Sequence, residues 1–345
     1  MPYFHAVAPA TASQDTSKVS RIGVLLVNLG TPDAPTYFAV QRYLREFLSD
    51  RRVIERSRLI WLPLLYGVVL PLRPLRTAGN YRKIWMKEGS PLAVYSERLA
   101  AKVGSLLSGE FQERVRVELA MTYGNPSIAT AIQSFAAQGI DKLLVLPLYP
   151  QYCSSTTGSV IDGTNRALKR WRRLPEIRFI NDYHDNGAYI DALSRKIRRH
   201  WDAIGERSHL LFSYHGIPVS YVEKGDPYQS QTEATTRRVV TQLGLNDNEW
   251  SHCYQSRFGR VAWLQPYTLD KIKELADRGI RDITVASPSF AVDCLETLEE
   301  VALEYRDRFL EWGGKRLTLV AGLNDDEEHA QALAGIIGNR LTGWV

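Results

Sequence analysis

Cysteine is scarce in this sequence, and no two cysteines lie close together. Cys153, Cys253 and Cys294 are the three in 345 residues, with no C-x-x-C spacing. Neither a disulfide framework nor a four-cysteine cluster is expected, and a reducing cytosol fits best. A strong charge of one sign is also missing. The 43 basic and 38 acidic residues leave a formal net charge of +5, too mild to imply a nucleic-acid partner, although a local basic patch can still hold an anionic ligand. Long hydrophobic runs are absent too. The longest, Trp61 to Leu72, is 12 residues interrupted by Pro63, Gly67 and Pro71. A membrane-spanning helix needs about 20, so an interfacial element is the most this run predicts. Nucleotide signatures are missing as well. Asn28-Leu29-Gly30-Thr31-Pro32 is a tight turn but not G-x-G-x-x-G, and Gln151 to Ser159 lacks the Gly/Lys pattern of a P-loop.

What is present reads as an α/β enzyme. Its length suits two domains of ordinary size. Residues 1–20, rich in Ala, Thr and Ser without an apolar core, read as a flexible N-terminal extension rather than a signal peptide. Eight strand-like runs follow: Ile22–Gly30, Val115–Tyr123, Lys142–Pro150, Ile177–Tyr183, His209–Gly216, Trp250–Arg257, Asp282–Phe290 and Arg316–Asn324. Several are Val/Ile/Leu-rich without polar alternation, as strands buried on both faces are. Helical patterns between them point to βαβ units and parallel sheets. Four runs precede the turn Asp185-Asn186-Gly187 and four follow. This predicts domains over 21–187 and 188–345, with the last helix free to pack back on the first domain. The connection from Gly30 to Val115 is far longer than a crossover requires, and long insertions are usually functional. It holds the apolar run and the basic residues Arg73, Arg76, Arg82 and Lys83.

Two strand ends carry candidate chemistry. Leu211 to Pro218 is an apolar run that stops at His215 and turns at once through Gly216 and Pro218. In open α/β sheets ligands sit beyond the carboxyl ends of the strands, so His215 is a candidate ligand or base, or else a structural histidine. The run from Ile283 to Phe290 leads likewise into Asp293-Cys294-Leu295-Glu296. Asp at an N-cap with Glu three residues on is a capping-box pattern, and capping competes with a functional Glu296. Glu296, Glu300 and Glu304 recur every four residues and share one helical face. They form either a solvated acidic face or a ladder that relays protons or guides a cation. The hydroxyl-rich loop Gln151 to Ser159 can bind an anion at a helix start. Cys294, also at a helix start where a thiolate is favoured, makes a nucleophile pair with His215 a minor alternative. Gln255, Ser256 and Arg257 end the sixth run, and Trp263 lies just beyond.

Taken in order, the motifs Leu26–Pro32, Tyr81–Ile84, Gly89–Leu92, Pro147–Gly158, Phe212–Pro218, Gly225–Tyr228, Tyr254–Arg257 and Asp293–Leu298 resemble those of the ferrochelatases, which insert ferrous iron into a porphyrin in haem synthesis. The resemblance covers roughly Ile22 to Leu323. It implies two chelatase-type, Rossmann-like domains, each a four-stranded parallel sheet flanked by helices, with the active-site cleft between them. It implies His215 and Glu296 as the catalytic and iron-binding pair, and Glu300 and Glu304 as an acidic relay. Leu29, Arg73, Tyr152, Trp263 and Phe290 are implied as porphyrin contacts, and residues 58–88 as an apolar active-site lip. Many members of the family carry a second histidine where this chain has Cys294. Some carry a cysteine-rich C-terminal extension that holds an iron–sulfur cluster. No cysteine follows Cys294 here, so no cluster and no permanently bound cofactor are expected. The implied partners are protoporphyrin IX and Fe²⁺, and not nucleic acid. The implied location is the cytoplasm, with peripheral contact at the inner face of the membrane. Alternatives are a chelatase for coproporphyrin or for cobalt, and a non-catalytic tetrapyrrole carrier.

Overall fold

The computed structural model describes residues 21–259 and 261–345, and the expected N-terminal extension lies outside the described residues. Strands β1 (Ile22–Asn28), β2 (Val115–Met121), β3 (Lys142–Pro147) and β4 (Glu176–Phe179) form one sheet in the order β2-β1-β3-β4. Strands β5 (His209–His215), β6 (Trp250–Gln255), β7 (Asp282–Ala286) and β8 (Arg316–Leu319) form a second in the order β6-β5-β7-β8. Every pairing is parallel, so both halves are wound the same way. All eight expected strands are present, each ending a few residues before its apolar run does.

The lack of polar alternation in β1 has a direct cause. All seven of its residues are buried, because successive side chains enter different cores. Val24 and Leu26 pack with Leu99 and Val103 of the helix Pro91–Phe111. Leu25 and Val27 pack with Ile132 and Phe135 of the helix Ile128–Ala137. β5 repeats the arrangement, with Leu210, Phe212 and Tyr214 on one side and Leu211 on the other. The first of these cores runs without a break from β1 to the C-terminal helix Glu327–Leu341, through Leu333 and Ile337. That helix packs on Pro91–Phe111 of the first half as well as on Gly187–Ile204 of the second. Beyond it, Trp344 donates from Nε1 to Glu176 Oε1 at 2.7 Å, and the Arg178 guanidinium lies 4.1 Å from its ring centroid.

The insertion differs from the sequence expectation of a broken 12-residue run. Residues Arg58–Ile84 form one continuous helix of 27 residues, long and apolar enough to meet the length criterion for a membrane span. Pro63, Pro71 and Pro74 lie within it, and the turns Leu65–Val69 between them are π-helical. Widened turns absorb the missing N–H donors and the ring clashes that prolines bring. One stripe of the helix (Trp61, Leu65, Leu70, Pro74, Ala78 and Tyr81) is buried against the helix Tyr37–Ser49. Trp61 Nε1 also donates to Leu48 O at 2.7 Å. The opposite faces stay exposed and apolar: Leu59 is 88% accessible, and Ile60, Tyr66, Leu72 and Leu75 are open as well.

Candidate active site

β5 delivers His215 to the cleft, and Gly216 makes the turn possible. A Cβ at Gly216 would stand 2.9 Å from Gln255 O and 3.2 Å from the Trp263 ring, so only glycine lets the chain leave the sheet here. The imidazole is fixed in one tautomer. Its Nδ1 lies 2.7 Å from Gly216 O, and a carbonyl only accepts, so Nδ1 carries the hydrogen. In the neutral ring it is therefore Nε2 that offers a lone pair to a proton or a metal. The His215 backbone N–H donates to Ser289 Oγ at 3.1 Å, and the Phe290 ring stands edge-on 6.3 Å away.

Glu296 is released from the capping role that the sequence allows. The Asp293 N–H donates to Asn324 Oδ1 at 2.7 Å, so no glutamate reaches back to it. The buried Asp293 carboxylate is filled by Thr297 Oγ1, Gly322 N and Asn324 Nδ2, at 2.9, 3.1 and 2.8 Å. The element that follows is a ten-residue π-helix, Glu296–Tyr305, continuing as an α-helix over Arg306–Glu311. Such wide turns are rare and tend to occur at functional sites. The Glu296 charge is felt by Arg73, Tyr43, Tyr81 and Cys294. Cys294 is the correction here. Burial first, and the Glu296 carboxylate second, push its thiol well above the ordinary range, so the helix start does not favour a thiolate here and the case for a Cys294–His215 nucleophile pair loses its support.

Gln255 ties the two halves of the site together. It pairs in register with His215 across β5 and β6, and its Nε2 donates to Glu296 O at 3.1 Å and to Glu300 Oε2 at 3.2 Å. Ser256 follows with φ +63°, a left-handed backbone that costs an L-residue on the order of 1 kcal/mol. Both its N–H and its Oγ donate to Glu300, at 3.0 and 2.6 Å. Burial raises the Glu300 carboxyl above its ordinary range, against the donors Ser256 and Tyr305 and the nearby His215. Glu304 lies further along and is exposed. The acidic face thus runs from solvent at Glu304 to half-buried Glu296. Sequence reasoning missed Glu299, which is 10% exposed and receives Lys83 Nζ of the lip helix at 2.7 Å. The partners are 216 residues apart, and no local pattern signals the pair. Among the described residues no three His, Cys, Asp or Glu side chains converge on a metal position.

The expected porphyrin contacts fall into two groups. Phe290 stands against His215 and Trp263 against the neighbouring Gly216, with Trp263 Nε1 donating to Phe258 O at 2.8 Å. Leu29, at the end of β1, joins the core under the lip, where Leu295 also packs. Arg73 lies 5.1 Å from the Phe258 centroid and feels the Glu296 charge. Tyr152 stands apart. Its N–H donates to Gln231 Oε1 at 2.6 Å, and its hydroxyl pKa is raised by burial against the Arg52 charge. The hydroxyl-rich loop beside it is not an open anion cradle, because the Asp226 carboxylate already takes the Ser154 N–H at 2.7 Å. A shallow cavity of about 540 Å³ between the helix Pro91–Phe111 and β2 includes none of these residues.

The sequence profile of the ferrochelatases matches residues 21–341. The chain is 46% identical over 325 residues to the ferrochelatase of Marinomonas sp. (strain MWYL1), covering 94% of this chain and 98% of that one. It is 46% identical over 319 residues to the ferrochelatase of Vibrio parahaemolyticus, covering 92% and 98%. Among solved structures, SirB from Bacillus subtilis with Fe³⁺ superposes with a TM-score of 0.55 at 12% identity, covering 93% of this chain and 95% of that one. CbiX, described as the terminal enzyme for siroheme biosynthesis in denitrifying bacteria, gives 0.51 at 15% identity, covering 92% and 98%. These distant likenesses speak for the two-sheet chelatase fold alone.

Proposed function

Because the chain belongs to the ferrochelatase family, whose reaction is the insertion of iron into protoporphyrin for haem synthesis, we propose that His215 and Glu296 are the pair that carries this reaction here. The protein is accordingly a lyase that forms metal–nitrogen bonds. The observation that carries the residue assignment is the fixed tautomer of His215, with Nδ1–H spent on Gly216 O, near a Glu296 freed from capping by Asn324.

A porphyrin must lose two pyrrole protons before a metal enters, and Nε2 of His215 accepts a proton from the ring. Nitrogen and oxygen donors both suit ferrous iron, so Glu296 shares its charge as hydration water leaves. A pair of ligands holds a metal loosely enough to give it up, unlike the closed four-ligand cage of a structural zinc site. Glu304 and Glu300 offer an acidic path inward for the cation. Phe290, Trp263 and Leu29 wall the ring, and Arg73 at the lip faces a propionate. The exposed apolar faces of Arg58–Ile84 support protoporphyrin IX over a four-propionate substrate, and support peripheral contact with the cytoplasmic face of a membrane. We assign no iron–sulfur cluster to the chain, since its three free, separately buried thiols fall short of the four thiolates such clusters take.

The test is anaerobic insertion of Fe²⁺ into protoporphyrin IX, with coproporphyrin III and with Co²⁺ in parallel. His215→Ala is expected to abolish turnover with the fold retained, and Glu296→Gln to do nearly the same. Wild-type turnover in either variant would sink the assignment. Tight porphyrin binding without insertion of any metal would make the protein a carrier.

A further inference from the structure

Glu300 is the most heavily anchored side chain of the site. Its Oε1 accepts from Ser256 N at 3.0 Å and from Tyr305 OH at 2.5 Å, and its Oε2 accepts from Ser256 Oγ at 2.6 Å and Gln255 Nε2 at 3.2 Å. A carboxylate has about four lone-pair positions, and here all are taken. The donors are themselves fixed. Gln255 is 2% exposed, and its Oε1 accepts from Ser213 Oγ at 2.7 Å, which settles which end of the amide faces Glu300. Ser213 is held in turn by Thr268 Oγ1 at 2.8 Å. Ser256 adopts φ +63°, a conformation glycine would take without strain. A serine in that conformation presents two donors to one carboxylate.

From this geometry we infer that Gln255 and Ser256 are positioning residues that hold Glu300 as an immobile anion behind the His215–Glu296 pair, supplying fixed charge to an entering metal cation rather than handing protons along the acidic face. The inference rests on the reading of that pair as the iron site. A proton carrier must release one partner and turn to the next. Ser256 N and Gln255 Nε2 can only donate and so favour the carboxylate against the effect of burial, and turning Glu300 to a new partner would break four bonds at once. Fixed charge suits the other role, because a preorganised group costs no reorganisation when the ion arrives.

The experiment compares the full chain, His215→Ala, Ser256→Gly and Glu300→Gln for Tm, porphyrin KM, and kcat and KM for Fe²⁺. Ser256→Gly keeps the N–H and removes both the hydroxyl and the strain, so its Tm is expected to hold or rise. Its kcat/KM for Fe²⁺ is expected to fall about tenfold, or about 1.4 kcal/mol, with porphyrin KM unchanged. Glu300→Gln is expected to act mainly through the KM for Fe²⁺. A wild-type kcat/KM in Ser256→Gly overturns the inference, as does a fall that merely tracks Tm and porphyrin KM. Loss of kcat at saturating metal in Glu300→Gln also overturns it, by marking a proton relay. If the wild-type chain inserts no metal, the reading of the pair fails. If wild type turns over, His215→Ala does not, and Ser256→Gly matches wild type, only the present inference fails.

Discussion

The Lys83–Glu299 pair gives a stability prediction that also reports on how the lip is held. Glu299 is almost fully enclosed while Lys83 is half exposed, and their charged atoms are 2.7 Å apart. Exposed ion pairs are worth about 0.2–1 kcal/mol, whereas breaking a buried pair costs about 3–5 kcal/mol because one charge is stranded. With one partner in each setting, Lys83→Met should destabilise by about 1–2 kcal/mol. Glu299→Gln should cost less, since the remaining lysine can reach water. The double variant should recover much of the loss, giving a coupling of at least about 1 kcal/mol. Urea denaturation followed by tryptophan fluorescence measures this, and the core shared by both halves lets them unfold together. A coupling below about 0.3 kcal/mol would show that the lip helix is not tethered through this pair.

Two further expectations follow from buried titratable groups. Cys153, Cys253 and Cys294 are buried, and burial pushes the thiols of Cys153 and Cys253 to about 12 and that of Cys294 well up. A thiol reagent at pH 8 should therefore label none of them in the folded protein and all three in guanidinium, and fast labelling of any one in the native state would contradict this. His329 is fully enclosed, and burial lowers its pKa to about 4, against about 6.5 unfolded. The unfolded chain binds the extra proton between those values. The stabilising effect of neutral His329 is thus whole above pH 6.5 and is lost as pH falls toward 4, by up to about 1.4 kcal/mol per pH unit. His329→Gln should remove that share of the acid sensitivity in urea titrations at pH 7, 6 and 5, and an unchanged slope would refute the assignment.

Strands were the most legible part of the sequence, because burial on two faces writes itself as unbroken apolar runs such as Ile22–Asn28. The lip was the least legible. Pro63, Gly67, Pro71 and Pro74 read as breaks, yet π-helical turns carry one helix through them. His215 stood out through the glycine that follows it. Asp293 and Glu296 imitate a capping box, and only Asn324, 31 residues on, shows that the cap is made elsewhere. Ser256 stood inside the motif Tyr254–Arg257, but its positive φ had no sequence signal, since its partner Glu300 lies 44 residues away. The four-residue rule drew attention to Glu300 and passed over Glu299, whose partner lies on another element.

The return of the helix Glu327–Leu341 onto Pro91–Phe111 has a consequence during synthesis. The first sheet is complete in sequence at Phe179, but the helix that covers part of its partner layer is made about 150 residues later. At about 5–20 residues per second, roughly 7–30 seconds pass on the ribosome before the helix Glu327–Leu341 exists to pack on Pro91–Phe111. During that interval the nascent first half leaves one face of the helix Pro91–Phe111 uncovered. A holding chaperone should therefore engage the growing chain in this window and let go once the closing helix has emerged.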